Sequence, residues 1–311
     1  MSQRDDIHEL ARGRWRGVLM AAGINEKYLS GKNGPCPFCG GKDRWRWTNH
    51  EDGGGGICNA CGFRTGVDLV MAALKIPFVE ARKWILGQVG KAPLERSRPR
   101  NNAEGVKRLS KLWSEAHRLD GQDPASRYLA GRGIVMTEFP KLLRFHPRVG
   151  YLHDDKSVTY HPALLSKFVG PDAKAFTLHT TYLTPDGRKA DVPKVKKLAP
   201  VPVPPGGAVR LDNSAETMGV AEGIETALSA MQIHQVPVWA TLSTGCLVKW
   251  EPPPTAKNIL IFADHDESFA GQAAAYPLAH KLAAKGLHVE VRMPPDLGDW
   301  NDALVADMEF A

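Results

Sequence analysis

Ile259-Leu260-Ile261-Phe262-Ala263-Asp264-His265-Asp266 decides the fold of this chain: an apolar run of strand length that ends in two aspartates spaced i, i+2. Such a run reads as a buried parallel strand that delivers paired carboxylates to its carboxyl end. Upstream, Met218-Gly219-Val220-Ala221 is a second short apolar strand, and it stops at Glu222-Gly223 before a helical pattern over 224–231. Residues 236–241 form a third strand candidate, followed by a loop over 243–246. After Asp266, residues 271–285 are Ala-rich with a helical period and stop at Gly286, Pro277 marking either a kink or a late start. Residues 288–292 make a fourth strand, and Asp299-Trp300-Asn301-Asp302 opens a final helix. Strands alternating with helices of this length imply a parallel α/β sheet with right-handed crossovers. Ligands of such sheets bind beyond the carboxyl ends of the strands, the side on which Glu222, Asp264, Asp266, Asp299 and Asp302 all fall.

Five carboxylates crowded there repel one another unless something positive lies between them. Hard divalent cations with oxygen ligands, magnesium above all and manganese with it, meet that need. A pair of such ions roughly 3.5–4 Å apart is the usual device for in-line phosphoryl transfer. A single acid at a strand end is equally well a helix N-cap, and Asp299 is a good one. Glu-Gly, Asp-x-Asp and Asp-x-Asn-Asp after three successive strands outweigh that plainer reading.

These residues resemble a known family. Ala221-Glu222-Gly223-Ile224-Glu225-Thr226-Ala227, Asp264-His265-Asp266 and Asp299-Trp300-Asn301-Asp302 are similar to the three motifs of the Toprim domain of primases and topoisomerases. The likeness is greatest to the Toprim primases of phages and plasmids, the DnaG-like type. It implies that Glu222 is the catalytic acid or base, or a metal-bound carboxylate. Asp264 and Asp266 then hold the catalytic magnesium or manganese, and Asp299 and Asp302 complete the acidic cluster. The glycine that follows the Asp-x-Asp motif, Gly271, comes later here than in the commoner pattern, which lengthens the loop.

The rest of the chain agrees with an enzyme that handles a polyanion. Its 311 residues suit two or three domains, and a net charge of +6 with a pI near 9.0 favours a polyanionic partner. The opening residues have neither the apolar core of a signal peptide nor a membrane span, so a cytoplasmic protein is expected, with cysteines serving as ligands. Cys36-Pro37-Phe38-Cys39 and Cys58-Asn59-Ala60-Cys61 are two Cys-x-x-Cys turns separated by 18 residues, the spacing of a closed, structural four-cysteine zinc site. His50, between the pairs, reads as a loop residue. Arg44-Trp45-Arg46-Trp47 alternates cation and aromatic, so a strand places the arginines on one face and the tryptophans on the other. Those residues either stack on bases and neutralise phosphates, or supply the small core of the ribbon. The glycine run 53–56 reads as a flexible turn. No Walker motif appears in the sequence, so unwinding falls to a separate replicative helicase. Residues 36–62, with Gly40-Gly41-Lys42-Asp43-Arg44, resemble the zinc ribbon that precedes the catalytic part of phage and bacterial primases.

Residues 7–22 form a basic amphipathic helix candidate, and the apolar spacing over 66–89 predicts two helices broken near Ile76-Pro77. Residues 91–105 have linker composition. Beyond them, helices are expected over 109–119 and 124–130, then a strand over 176–183 that turns at Pro185-Asp186-Gly187. Arg188, Lys189, Lys194, Lys196 and Lys197 follow; such a run is either a solvated face or a grip on a nucleoside triphosphate or template backbone. This stretch resembles the amino-terminal subdomain of the primase core, which implies basic residues facing the Toprim metals. His146, His161 and His179 read as structural, and Cys246 as a loop or core residue.

The expected architecture is a β-rich zinc ribbon with flanking helices over 1–90, a basic linker over 91–105, an α+β subdomain over 106–213 and an α/β Toprim parallel sheet over 214–311. The expected function is a primase that makes short RNA primers from ribonucleoside triphosphates on single-stranded DNA, with no membrane role. A Toprim nuclease and a non-catalytic zinc-plus-Toprim clamp of the recombination-mediator kind are the rivals.

Overall fold

The computed structural model describes residues 7–8, 10–49, 53–93, 102–267 and 269–309. The chain divides into two compact units, 1–100 and 101–311.

In the first unit, β1 (Gly34–Cys36), β2 (Gly40–Trp47), β3 (Gly56–Cys58) and β4 (Gly62–Arg64) form one antiparallel sheet in that order. Along β2 the period of two turns Trp45 and Trp47 inward, only 2% and 9% exposed, while Arg46 faces water. Each indole N–H finds a carbonyl, Trp45 on Tyr28 O at 2.8 Å and Trp47 on Gly54 O at 3.0 Å. The two rings are therefore the core of the ribbon and are closed to base stacking. They pack with Trp15, Val18 and Leu19 of α1 (Trp15–Ala21), Val67, Leu69 and Val70 of α2 (Gly66–Leu74), and Ala81 and Ile85 of α3 (Phe78–Val89).

Three local expectations change here. The helix expected over 7–22 breaks at 11–14, where Gly13 takes a φ of 67°. The glycine run is packed and not a free turn: Gly54 is buried, and a Cβ on it or on Gly66 would enter the ring of Trp15. α2 opens on a capping box between Thr65 and Asp68 and ends at Lys75 in the left-handed region, just before Pro77 stops the pattern. The linker residues 94–101 lie outside the described residues; 102–105, expected in the linker, begin α4 (Asn102–Glu115).

The second unit continues through β5 (His117–Arg118), α5 (Pro124–Ala130), β6 (Leu143–Leu152), β7 (Val158–Val169), β8 (Phe176–Tyr182) and β9 (Lys196–Leu198). The five strands make an antiparallel sheet in sequence order. Then come β10 (Thr217–Ala221), α6 (Ile224–His234), β11 (Val238–Ala240), α7 (Thr244–Lys249), β12 (Asn258–Phe262), α8 (Ala270–Ala283), β13 (His288–Arg292) and α9 (Trp300–Glu309). Their four strands are all parallel, in the order β11-β10-β12-β13.

The apolar runs of β10 and β12 are continuous because both faces are covered. Met218, Val220, Ile259 and Ile261 face Leu278 and Leu282 of α8 and Trp250. Ala221, Leu260 and Phe262 share a core with Ile224 and Leu228 of α6, Trp300 of α9, and Leu143, Leu164, Phe168 and Leu183 from the antiparallel side. The two sheets of this unit are thus joined by one hydrophobic cluster. α8 starts at Ala270, so Pro277 lies inside it and marks no late start. The loop expected over 243–246 is the start of α7, because Ser243 Oγ accepts from Cys246 N at 3.2 Å and caps it. Among the described residues no helix is long and apolar enough to cross a membrane.

Candidate active site and metal centre

Parallel strands release their chain at the carboxyl edge, and three acidic segments meet there. Glu222 follows β10 directly; its carbonyl accepts from Leu242 N at 2.7 Å, and its carboxylate accepts the N–H of Thr244. Burial raises its pKa, the charge of Asp266 adds to the rise, and the Thr244 N–H opposes it.

Asp264 is the centre of the group. Its pKa is pushed up to about 6, first by burial and then by the negative charges of Asp299, Glu222, Asp266 and Asp302. All five acids named from the sequence are therefore electrostatic neighbours. Asp264 Oδ1 is buried with no hydrogen-bond partner. A bare carboxylate oxygen in that position is costly without a positive charge. The donor set is all oxygen and multiply anionic, which fits magnesium or manganese.

The loops carrying these acids are locked together through His265. Its backbone exchanges two 2.9 Å hydrogen bonds with Gly298, and its Nδ1 lies 3.1 Å from Pro294 O. Asp266 Oδ2 accepts from Gly271 N at 2.9 Å. The late glycine thus does reach back to the motif: a Cβ on Gly271 would stand 3.0 Å from Asp264 N and closer still to Asp264 O. Gly298, at φ 139°, is equally confined, since a Cβ there would meet Asp302 Oδ2 at 2.6 Å. Asp299 Oδ1 accepts from Asn301 N at 2.7 Å and Asp302 N at 3.0 Å, while Asp302 Oδ2 accepts from Asp299 N at 2.9 Å. Capping and membership of the cluster coexist in these two residues. Asn301, 1% exposed, anchors the turn by donating Nδ2 to Arg132 O and Ser229 Oγ at 2.7 and 3.0 Å.

The basic residues are placed less uniformly. Lys196 Nζ bonds Glu225 Oε2 at 2.8 Å, and Tyr128 OH bonds Glu225 Oε1 at 2.7 Å. Glu225, 4% exposed in the first turn of α6, sits one helical turn beyond Glu222. Burial would raise its pKa, but the Lys196 charge and the two hydrogen bonds hold it down at about 2. Burial, with the Glu225 charge next, raises the Tyr128 phenol; burial, opposed by the Glu225 charge and joined by the Lys196 charge, lowers His179 to about 4. Lys197 Nζ lies 3.3 Å from the centre of the Tyr151 ring and donates to Leu152 O at 3.1 Å. Lys194 is exposed, and its N–H meets Tyr151 OH at 3.1 Å. Arg188 sits at the hairpin turn, paired with Asp186 at 2.6 Å. The sequence assigned no role to Glu225, Tyr128, His265, Thr244 or Asn301; Glu225, His265 and Asn301 stand inside the three acidic motifs, whereas Tyr128 and Thr244 left no signal.

In the first unit, the Sγ atoms of Cys36, Cys39, Cys58 and Cys61 all lie within 4.8 Å of one another. The N–H groups of Phe38, Ala60 and Cys61 point at Cys36 and Cys58 sulfurs at 3.3–3.5 Å, as knuckle turns require. Burial opposes ionisation of Cys58, yet the N–H groups of Cys61 and Ala60 and the adjoining thiols bring it down to about 6. Hydrogen bonding to Cys39 and burial push Cys61 up to about 12. Four thiols sharing so small a volume fit a tetrahedral zinc ion.

Charge is segregated along the chain. Residues 1–100 hold 17 Lys/Arg against 10 Asp/Glu, 101–213 hold 18 against 11, and 214–311 hold 5 against 13. The excess positive charge therefore lies wholly outside the acidic segment.

Comparison with known proteins identifies the parts. Residues 217–308 match the Toprim domain, and 31–67 match the zinc-binding domain of primase-helicase. Residues 103–211 match a domain of unknown function. Among solved structures, the primase fragment of the bacteriophage T7 primase-helicase is 14% identical with a TM-score of 0.39, over 90% of this chain and 96% of that one. The Aquifex aeolicus primase, zinc-binding and RNA polymerase domains, is 16% identical with a TM-score of 0.41, over 98% and 83%. A DnaG primase catalytic domain bound to single-stranded DNA is 14% identical with a TM-score of 0.45, over 68% and 80%. The chain therefore carries a primase-type zinc ribbon and a Toprim domain.

Proposed function

We propose that this Toprim protein with its primase-type zinc ribbon is a DNA primase, joining ribonucleotides into short primers on single-stranded DNA for replication of a phage or plasmid type. The observation that supports the reading is the buried, unpartnered Asp264 oxygen at the carboxyl edge of the parallel sheet, where Glu222, Asp266, Asp299 and Asp302 all act on Asp264 with their charge. Asp264, Asp266, Asp299 and Asp302 would hold divalent magnesium or manganese. When bound, such ions neutralise charge on a triphosphate and on its leaving group.

The chain's own residues do the rest. Glu222, with its raised proton affinity, takes the proton of the attacking 3′ hydroxyl. The new bond forms between that oxygen and the α-phosphorus, the α–β phosphoanhydride bond breaks, and pyrophosphate leaves with the electron pair. Lys194, Lys197 and Arg188 offer positive charge to phosphates of nucleotide or template, and Lys196 does so from its fixed seat on Glu225. In the ribbon, Arg46 and Arg44 bind the template backbone, with Trp45 and Trp47 supporting them from the core. Cys36, Cys39, Cys58 and Cys61 hold structural zinc. A separate helicase would supply the unwound strand.

Incorporation of labelled ribonucleotides on single-stranded DNA with magnesium tests the reading, comparing the native chain with Glu222→Gln and Asp264→Asn. Short RNA made by the native chain and lost in both variants is the expected result. Cutting of the template without synthesis would make the protein a Toprim nuclease, and binding without either activity would make it a clamp.

A further inference from the structure

The two loops that carry the acids also carry exposed apolar side chains. Phe269, three residues after Asp266, is 67% exposed, and Leu297, two residues before Asp299, is 59% exposed. Large apolar side chains normally lose contact with water when a chain folds. Phe269 moreover holds a φ of 59°, a backbone state that bulky residues rarely occupy and that is retained mainly at functional positions. Its own N–H bonds Asp266 O at 3.0 Å, so the ring is carried by the same turn that presents the acid. The loop of Leu297 is tied to that turn by the paired hydrogen bonds between His265 and Gly298. One aromatic and one aliphatic side chain thus stand exposed on the two loops that carry the acids, and backbone bonding ties those loops together.

We propose that Phe269 and Leu297 form a nucleobase-binding rim at the mouth of the acidic cluster. The inference rests on the reading of that cluster as a site for nucleotides. Phosphates are drawn to the cations that such carboxylates hold, whereas the flat face of a base is drawn to apolar and aromatic surface, and every base has such a face. Phe269 stands between Asp266 and Gly271, and Gly271 N still returns to Asp266 Oδ2 at 2.9 Å. A rim of this kind reads no hydrogen-bonding edge, so it accepts purines and pyrimidines alike.

The test is equilibrium binding to the full-length, zinc-loaded chain with magnesium, comparing native, Phe269→Ala, Phe269→Trp and Leu297→Ala. Three probes are used: a ribonucleoside triphosphate, inorganic tripolyphosphate and an oligothymidylate. Phe269→Ala is expected to weaken binding of the ribonucleoside triphosphate or the oligonucleotide about tenfold, the scale of one lost base stack. Tripolyphosphate, which has no base, should bind native and Phe269→Ala alike, and Phe269→Trp should bind as the native chain does. Weakening confined to the nucleotide places the incoming base on the rim; weakening confined to the oligonucleotide places a template base there. Native affinity of Phe269→Ala and Leu297→Ala for both base-containing probes would overturn the rim while leaving the proposed function standing. Failure of the native chain to bind either probe would overturn both.

Discussion

Replacing Glu225 by glutamine keeps the shape of its side chain and removes its charge, and the structure fixes what that should cost. Folding lowers the Glu225 pKa from 4.5 to about 2, with Lys196 and Tyr128 as its partners. A depressed carboxylate pKa means that the ionised form is bound more tightly in the folded state. Its contribution is therefore complete above pH 4.5 and disappears as pH falls from 4.5 through 2. The shift corresponds to about 2–3 kcal/mol at neutral pH once solvent screening of the half-exposed Lys196 ammonium is allowed for. With an m-value of about 2 kcal/mol/M, Glu225→Gln should lower the urea midpoint of the second unit by about 1 M at pH 7. At pH 3 the native chain has given up much of the same contribution, so the two midpoints should draw together. Urea titrations at the two pH values read both quantities. A variant as stable as the native chain at pH 7, or a gap that stays constant down to pH 3, would refute the assignment of the Lys196–Glu225–Tyr128 group as an energetic link between β9 and α6.

Asp264→Asn should act in the opposite direction: because burial and then the neighbouring carboxylates destabilise an ionised Asp264, the variant should gain about 1–2 kcal/mol in a chelator and lose most of any thermal shift that magnesium gives the native chain, both read by scanning calorimetry. Gly271→Ala forces a methyl group against the Asp264 backbone and should cost about 2–3 kcal/mol, whereas Gly87→Ala in α3, with nothing within 4 Å of the new carbon, should be neutral or gain up to about 1 kcal/mol. Chemical denaturation of the two variants separates packing from propensity. Removing zinc with a strong chelator, or substituting Cys58→Ser, should abolish the cooperative transition of the first unit while leaving that of the second; zinc content and circular dichroism follow it, and an unchanged first transition would refute a structural metal.

The parallel sheet was legible because its strands are buried on both faces. Continuous apolar runs such as 259–262 admit few other folds, and the acids ending them mark the edge at which the chain leaves the sheet. β6 left no such trace. A register shift between His146 and Val149 breaks its alternation, so buried residues fall at 143, 146, 149 and 151 and the period of two is lost. β7 carries Pro162 in its middle and then Ala163, Leu164, Leu165 and Ser166, all buried, which blurs it further. In the ribbon, alternation separated Arg44 and Arg46 from Trp45 and Trp47 but could not say which face was inside; packing against Trp15 decided it. The acidic positions could be named one by one from their strands. What fastens them, the His265–Gly298 bridge and the approach of Gly271, joins residues tens of positions apart through backbone atoms that no side-chain pattern reports.

The way the Asp-x-Asp turn is fastened separates what selection or an engineer can alter from what neither can. Gly271 and Gly298 are fixed points, since any side chain at either strikes an aspartate. Glu267 and Phe269 just ahead of Gly271, and Asp296 and Leu297 just ahead of Gly298, stand in water. A combinatorial library confined to 267, 269, 296 and 297 would vary the exposed side chains beside the acids while the acids kept their places, so new binding preferences could be sampled without first disturbing the cluster.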